Sequence, residues 1–410
     1  MAQPEPVRRG AKVLYLSYDG LTDPLGRAQI LPYLVGLSER GHAISVISFE
    51  KPGRPQADWD AVRSLCSTAG IDWHPECYHA RPPVLSTLRD IWKMRRSAER
   101  LHRSKAFEIV HCRSYISALV GLRLKRRHGV RFLFDMRGFY VDERIEMGLW
   151  RPGNPLFGLV IAYFRKREAE FFRSADAIVS LTHAAIPRLK AMSGATITVI
   201  PCCVDFEQFS PPSDGERALA RHDLGISGGI PVLGYLGSVG SNYLLDEMFS
   251  VFAAFRQRKP GAKFLFLTPD SPDYLRSVAA RHSIPSEDLI IRSVGRAEVP
   301  RLMPAADAGV SFIRTGPSKL ACCPTKLGEM MALGIPLIVN GEIGDVEEII
   351  RESRGGVVVG RFDEDSLTKA VEALETIGSS PEQIRSGARR WFDLSDGITA
   401  YNSIYRSLGA

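Results

Sequence analysis

The feature that most constrains the fold is a regular alternation of short apolar runs with longer, helix-like stretches. The runs in the first half cover residues 12–18, 43–49, 108–113 and 130–134. Those in the second half cover residues 231–237, 264–268, 289–294, 309–312, 337–340 and 356–359. Apolar runs of this length, separated by amphipathic helical patterns, are typical of parallel strands covered by helices on both faces. The pattern therefore predicts an α/β fold built on parallel sheets.

The length of the chain and one break in the alternation indicate how it divides. At about 150 residues per domain, 410 residues correspond to two or three domains. Residues 210–229 interrupt the alternation with Pro, Ser and Gly, which is typical of a linker with a short helix. Two βα-alternating halves joined near residue 210 predict two Rossmann-like domains that face each other across a cleft.

Charge and cysteine content limit the classes of partner. The net charge of +7 favours acidic partners such as nucleotides or phospholipid surfaces. Nucleic acid is not expected, because the chain has neither zinc-finger spacing nor a basic repeat interleaved with aromatic residues. The seven cysteines include two adjacent pairs, Cys202–Cys203 and Cys322–Cys323, but no C-x-x-C, so they predict neither disulfides nor a metal site.

The sequence also predicts a cytoplasmic location. Residues 1–10 are polar and lead directly into the first apolar run, which is unlike a signal peptide. No apolar run reaches the roughly 18 residues that span a bilayer.

Residues 322–340, CCPTKLGEMMALGIPLIVN, are the most informative segment. Thr325 is a residue type that caps helix starts, and Gly334 is suited to the left-handed position that ends a helix. Lys326 and Glu329 lie three residues apart, so they share one face near the start of this predicted helix. A helix N-terminus attracts anions, and a Lys placed there suits a bound phosphate. The alternative interpretation is a surface ion pair on an ordinary amphipathic helix.

The run P-T-K-L-G-E-M-M-A-L-G-I-P-L-I resembles the donor-nucleotide segment of the retaining glycosyltransferases of group 1, also called family 4. The resemblance implies a GT-B architecture, in which Glu329 binds the ribose of a nucleotide sugar and Lys326 serves its diphosphate. A second Glu of the family, which contacts the donor sugar, is replaced here by Ala321.

The resemblance extends to residues 19–34, DGLTDPLGRAQILPYL, and to segments near residues 174–182 and 197–209. It implies an acceptor domain over residues 1–208, joined by a crossing helix at 392–410, and a donor domain over residues 209–391. Gly26 and Arg27 are expected in a loop at the acceptor–donor boundary. An ordinary βα loop is the alternative.

The strand at residues 130–134 ends in DMRG, and ligand groups gather at the carboxyl ends of strands in open α/β sheets. In many family members this strand end carries a His near the reacting sugar carbon. Here Arg137 corresponds to it, with Asp135 beside it. The alternative is a buried Asp–Arg pair with a structural role.

The glycine turn after residues 231–237 can approach a phosphate closely. Family members often place Arg and Lys after this turn, but Ser238 and Asn242 stand there instead. Residues 293–296 resemble the segment that holds the nucleotide base. The predicted catalytic residues are Lys326, Arg137 and Asp135. The predicted donor-binding residues are Glu329, Gly237, Ser238, Gly240, Thr325, Arg314 and Gly295.

Neither a metal nor another cofactor is expected. Asp363-Glu364-Asp365 is formally a D-x-D motif, but acidic residues at that place are typical of a helix start.

Residues 85–106 predict a strongly basic helix, which suits peripheral contact with an anionic membrane. The alternative is a solvated helix packed by one edge. The apolar-then-basic run 155–166 is a second candidate surface, although such runs more often belong to a core.

The sequence thus predicts a metal-independent, retaining, hexosyl-type glycosyltransferase. It would move a sugar from a nucleotide sugar to a glycan or lipid-linked acceptor, in cell-surface polysaccharide or glycoconjugate biosynthesis. The alternatives are a nucleotide-sugar epimerase or other non-transferase on the same fold, and a two-lobed ligand-binding module. An NAD-dependent oxidoreductase is disfavoured, because G-x-G-x-x-G is absent after the first strand. The base, the sugar, the acceptor and the linkage stay open.

Overall fold

The computed structural model of the protein describes residues 10–82 and 84–409. The interpretation of residues 1–10 as unlike a signal peptide lies almost wholly outside this part of the chain. Contacts divide the chain into two compact units. The first runs to Pro201 and resumes at Leu394, and the second covers Cys202–Asp393. This division falls a few residues before the domain boundary expected at residue 208.

The first unit is built on a parallel sheet. Its strands within the described residues are β1 Lys12–Ser17, β2 Ala43–Glu50, β3 Asp72–Cys77, β4 Ile109–Arg113, β5 Arg131–Asp135, β6 Ala177–Ser180 and β7 Thr196–Val199. Its helices up to Pro201 are α1 Pro24–Gln29, α2 Leu31–Glu39, α3 Gln56–Thr68, α4 Leu85–Lys105, α5 Ser114–His128, α6 Tyr140–Glu146, α7 Pro155–Ser174 and α8 Ile186–Met192. Parallel pairing requires a crossover between successive strands, and the helices supply these crossovers.

The strand order of this sheet locates its ligand-binding edge. The order is β3-β2-β1-β4-β5-β6-β7. The chain therefore builds outward from β1 in one direction and from β4 in the other. Ligands of open α/β sheets bind beyond the carboxyl ends of strands at such a reversal. Residues that follow β1, β4 and β5 are thus well placed to form a site.

The second unit repeats the architecture. Its strands are β8 Val232–Leu236, β9 Lys263–Leu267, β10 Leu289–Arg292, β11 Ala308–Ser311, β12 Leu337–Asn340 and β13 Gly356–Val359. Its α-helices are α9 Asp214–Asp223, α10 Leu245–Arg258, α11 Pro272–Arg281, α12 Val299–Leu302, α13 Thr325–Ala332, α14 Val346–Ser353, α15 Glu364–Glu375 and α16 Pro381–Phe392. The parallel order β10-β9-β8-β11-β12-β13 reverses between β8 and β11. Apolar side chains cover both faces of this sheet.

The segment that the sequence singled out forms α13 and β12, as predicted. Gly334, which follows the C-cap residue Leu333, has φ +76°, where a residue without Cβ is favoured. β12 is buried and pairs in parallel with β11 and β13. The expectation that Thr325 caps the helix is wrong. Pro324 holds the N-cap position in an extended conformation, so Thr325 is the first helical residue.

The last helix, α17 Leu394–Leu408, belongs to the first unit. It packs on α2, where the rings of Tyr33 and Tyr401 meet edge to face with centroids 5.4 Å apart. Tyr401 and Tyr405 are almost fully buried. The end of the chain therefore completes the core of the unit in which the chain begins.

The expected boundary loop after β1, residues 19–29, is helical from Pro24 onward. Pro24 starts α1, because its fixed φ suits the first helical position and its missing N–H is not needed there. Gly26 and Arg27 consequently lie in a helix rather than in a loop, which corrects the sequence interpretation.

The basic helix predicted at residues 85–106 is present as α4, and the candidate surface at 155–166 is the first part of the longer helix α7. Among the helices described, none combines the length and the apolar character needed to cross a membrane.

Candidate functional site

A buried lysine and a glycine turn meet at the strand reversal of the second unit. β8 ends at Leu236, and Gly237 follows with φ +95°, which glycine adopts without strain. A Cβ added to Gly237 would lie 3.4 Å from both Cε and Nζ of Lys326. The structure thus brings together two of the residues that the sequence assigned to the diphosphate, although 89 positions (326 − 237) separate them.

Lys326 lies in an aromatic enclosure. Its Nζ donates a hydrogen bond of 2.7 Å to the hydroxyl of Tyr235. The same nitrogen lies 4.0 Å from the ring centroid of Tyr235 and 3.8 Å from that of Tyr243. The residue is only 7% exposed. The surface ion pair considered for Lys326 and Glu329 is therefore not what the structure contains.

Burial lowers the pKa of the Lys326 ammonium well below its usual range, because desolvation disfavours the charged form. The carboxylates of Glu329 and Asp270 act in the opposite direction and are outweighed. An anion bound beside Nζ would add to their effect and favour the protonated amine. An anion at this place would therefore be favoured by the charge on Nζ.

Glu329 is also buried, at 5% exposure, and its partner comes from another segment. The guanidinium of Arg296 contacts the carboxylate oxygen Oε1 of Glu329. Arg296 opens a short 3-10 helix, Arg296–Glu298, which follows the edge strand β10. Glu329 and the segment expected to hold the nucleotide base are therefore in direct contact.

The other predicted donor residues lie around the same strand ends. Ser238 and Gly240 are exposed in the turn that leads to α10. Arg314 is exposed after β11, and its Nε donates to the backbone oxygen of Ser241 at 3.3 Å. Thr325 is half-buried next to Lys326, and the backbone N–H of Gly295 donates to Glu298 at 2.9 Å.

A second buried lysine at this edge was missed by the sequence interpretation. Lys319 lies in the 3-10 helix Pro317–Ala321 and is 4% exposed. Its Nζ donates to the side-chain oxygen of Asn242 at 3.2 Å, at the end of the glycine turn. Sequence spacing gave no signal for this contact, because a Lys in an irregular segment between β11 and α13 reads as a surface residue.

In the first unit, Asp135 and Arg137 form a buried polar cluster beyond β5. Asp135 is 1% exposed, and its Oδ1 lies 3.7 Å from the guanidinium of Arg137. The hydroxyl of Tyr401 donates to Asp135 Oδ2 at 3.1 Å, and His111 Nε2 lies 3.5 Å from the same oxygen. Arg137 has φ +58°, an uncommon conformation for a residue with a Cβ.

Burial by itself would raise the pKa of Asp135, but Arg137, His111 and Arg113 together lower it below the ordinary value. Burial lowers the pKa of His111, which favours a neutral imidazole. Asp135 is therefore a carboxylate held by cations. This arrangement agrees with the structural-pair interpretation and also leaves a charged group at the carboxyl ends of the strands.

The two residues assigned to the acceptor side differ in their surroundings. A Cβ on Gly26 would lie 2.0 Å from the backbone oxygen of Gly20, so the close approach of these two segments requires glycine. The Arg27 guanidinium pairs with Asp58 at 2.6 Å and is about one third exposed.

Two further sequence motifs are the acidic run Asp363-Glu364-Asp365 and the two cysteine pairs. Asp363 accepts a hydrogen bond from the backbone N–H of Ser366 at 3.0 Å, so it caps α15. Within residues 10–82 and 84–409, no three His, Cys, Asp or Glu side chains form a group that could hold a metal ion. The two cysteine pairs meet, since the backbone N–H of Cys202 donates to the sulfur of Cys323 at 3.3 Å.

Comparison with known proteins agrees with this architecture. A sequence profile described as "Glycosyltransferase Family 4" matches residues 33–208, and one described as "Glycosyl transferases group 1" matches residues 230–376. A D-inositol 3-phosphate glycosyltransferase from Segniliparus rotundus is 23% identical over 314 residues, which are 73% of this chain and 66% of that protein. One from Actinosynnema mirum is 24% identical over 275 residues, covering 64% of this chain and 62% of that protein. The chain thus spans less than two thirds of the length of these relatives.

Solved structures show the same fold at low identity. A sucrose-phosphate synthase from Thermosynechococcus elongatus is 15% identical with a TM-score of 0.71, and the match covers 97% of this chain and 99% of that one. Anabaena HepE, in complex with UDP and glucose, is 14% identical with a TM-score of 0.69, covering 97% and 100%.

Two Rossmann-like units with parallel sheets, and this likeness over nearly the whole chain, define an α/β fold of the GT-B class. The matches on either side of residue 210 place the chain more narrowly. It belongs to the group 1, family 4 glycosyltransferases.

Proposed function

We propose that this protein transfers a sugar from a nucleotide-diphosphate sugar to a glycan or lipid-linked acceptor, with retention of configuration. The observation that carries the proposal is Lys326, buried against Gly237 at the strand reversal of the second unit. A cation in this position can meet the charge that grows on a leaving diphosphate, and preorganised donors of this kind stabilise transition states. The related HepE structure, which contains UDP and glucose, supports a nucleotide-sugar donor.

In this proposal, residues of this chain bind each part of the donor. Lys326 meets the diphosphate, Gly237 allows its close approach, and Glu329 receives the ribose hydroxyls. Asp135 and Arg137 lie toward the acceptor and the reacting carbon. No step is assigned to a metal ion or to another cofactor.

Binding and reaction tests separate this function from the alternatives. Nucleoside diphosphates should raise the unfolding temperature, since a ligand at about 100 times its Kd adds roughly 2.7 kcal/mol of stability. With donor alone, a transferase should leave the sugar configuration unchanged, whereas an epimerase should convert it. With acceptor added, NMR of the product should show the anomeric configuration of the donor. Inversion would overturn the retaining assignment.

We also propose cytoplasmic action on cell-surface polysaccharide or glycoconjugate precursors, with peripheral contact at the inner membrane face. Helix α4 supports it by exposing Leu85, Leu88 and Trp92 at 64%, 56% and 55%, next to basic residues. Flotation with anionic liposomes tests the contact. Binding should weaken with salt, since charges are screened within about 10 Å at 0.1 M. Absence of flotation at low salt would contradict it.

A further inference from the structure

The contact between Arg296 and Glu329 assigns a role that sequence spacing did not suggest. Glu329 lies in α13, and Arg296 follows β10 at the edge of the same sheet. Their side chains are 7% and 19% exposed, so the pair is largely removed from water. A buried carboxylate is costly unless a cation or hydrogen bonds compensate it.

Arg296 is the cation in contact with Glu329. Lys326, although three residues away on the same helix, donates its hydrogen bond to Tyr235 instead. The guanidinium of Arg296 is itself held, because it lies over the ring of Phe209 with its carbon 5.2 Å from the ring centroid. The carboxylate is therefore fixed in orientation from outside its own helix.

The pairing uses only one of the two carboxylate oxygens. Arg296 contacts Oε1, and within the described residues Oε2 of Glu329 makes no hydrogen bond. A carboxylate oxygen can accept two hydrogen bonds, which matches a pair of adjacent hydroxyl groups. A fixed acceptor of this kind discriminates strongly against a ligand that lacks the hydroxyl, since the bound ligand would then cover the oxygen and leave it unpaired.

We propose that Arg296 is a positioning residue that orients Glu329 so that its free oxygen selects ribose over 2′-deoxyribose in the donor nucleotide. This inference rests on the proposed function, in which Glu329 receives the ribose. Arg296 acts through Glu329 and needs no contact with the nucleotide for this effect.

The experiment compares ribo- and deoxyribonucleotides by calorimetry on the full chain. The probes are UDP, GDP and ADP with their 2′-deoxy counterparts, and the readout is the ratio of the two Kd values for each base that binds. The variants are Arg296→Ala, Arg296→Lys and Glu329→Ala. Arg301→Ala is the matched control, because Arg301 is half-exposed and pairs with Asp223 in the same unit.

The wild type should prefer the ribonucleotide by a factor on the order of tenfold or more. Arg296→Ala should bring the ratio close to that of Glu329→Ala. Arg296→Lys should restore part of it, since lysine supplies the charge but not the fixed fork of guanidinium. Arg301→Ala should leave it unchanged.

Two results would overturn the inference in distinguishable ways. If Arg296→Ala weakens both nucleotides equally and keeps the ratio, while Glu329→Ala lowers it, Arg296 has only a structural role. If Glu329→Ala itself keeps the ratio, Glu329 does not receive the ribose and the proposed site also fails. If Arg296→Ala does not fold, the Kd ratio of Arg296→Lys tests the inference instead. The inference requires this ratio to fall below the wild-type value, and an unchanged ratio would overturn it.

Discussion

Replacement of Lys326 by Met tests whether the enclosed ammonium serves catalysis or the fold. Met nearly matches the length of the side chain and removes its charge. The loss of the hydrogen bond to Tyr235 costs about 1.5–3 kcal/mol, and the loss of the ring contacts about 0.5–2 kcal/mol. Burial of the Lys326 amine itself costs several kcal/mol, because the amine must either stay charged or give up its proton, and Met removes this cost, so the replacement is about neutral.

We therefore expect the Lys326→Met protein to fold with an unfolding free energy within about 1.5 kcal/mol of the wild type. Its kcat should fall by a factor on the order of 10²–10³, the effect of losing one preorganised donor. The KM for the donor should rise less than kcat falls, because the charge on the diphosphate grows as the bond to the sugar breaks.

The assay is sugar transfer under steady-state conditions, alongside thermal unfolding of the same preparations. Lys369→Met is the matched control, because Lys369 is 69% exposed in the same unit and pairs with Asp365. It should change neither quantity. A Lys326→Met enzyme that keeps kcat and loses only donor affinity would refute the reasoning, since Lys326 would then bind ground and transition states equally.

Four further outcomes are expected. Burial holds the pKa of Lys326 low in the free protein, and a bound diphosphate should raise it. Between these two pKa values, nucleotide binding should take up a proton, and the affinity should weaken as pH rises through the lower value. Calorimetry in two buffers of different ionisation enthalpy measures the proton uptake, and uptake that persists in Lys326→Met would contradict the assignment. Glu329→Ala should weaken nucleoside diphosphate binding by about 1.5–3 kcal/mol, and unchanged affinity in a folded variant would exclude its ribose contact. The lowered pKa of Asp135 stabilises the folded protein above the ordinary pKa of 3.8, and this stability is lost as pH falls through the folded-state pKa. In denaturant titrations, Asp135→Asn should therefore lose less unfolding free energy on acidification than the wild type. An equal loss in both proteins would show that Asp135 does not contribute. Transfer should survive exhaustive chelation, and activity restored only by manganese or magnesium would refute metal independence.

Local sequence was sufficient for the elements of this protein that depend on near neighbours. The apolar runs predicted β1, β2, β4 and β5 of the first sheet and β8 to β13 of the second, because parallel strands covered on both faces need continuous apolar sequence. They did not predict β3, β6 and β7; β3 is an edge strand whose sequence, DWHPEC, contains no apolar run. Gly334 and Pro336 set the end of α13, and the basic helix predicted at residues 85–106 forms over Leu85–Lys105. A resemblance carried by a short motif was enough to predict the family, which the matches confirm.

The tertiary structure decided which distant segments supply each partner. Lys326 meets Tyr235 and Gly237, Glu329 meets Arg296, and Asp135 meets Tyr401 near the end of the chain. Spacing along one helix instead left open a pair between Lys326 and Glu329, since neighbours three apart share a face. Sequence periodicity reports only which side of an element is buried. The partner on that side is set by the strand order, which brings the ends of β8, β10 and β11 to one edge of the sheet.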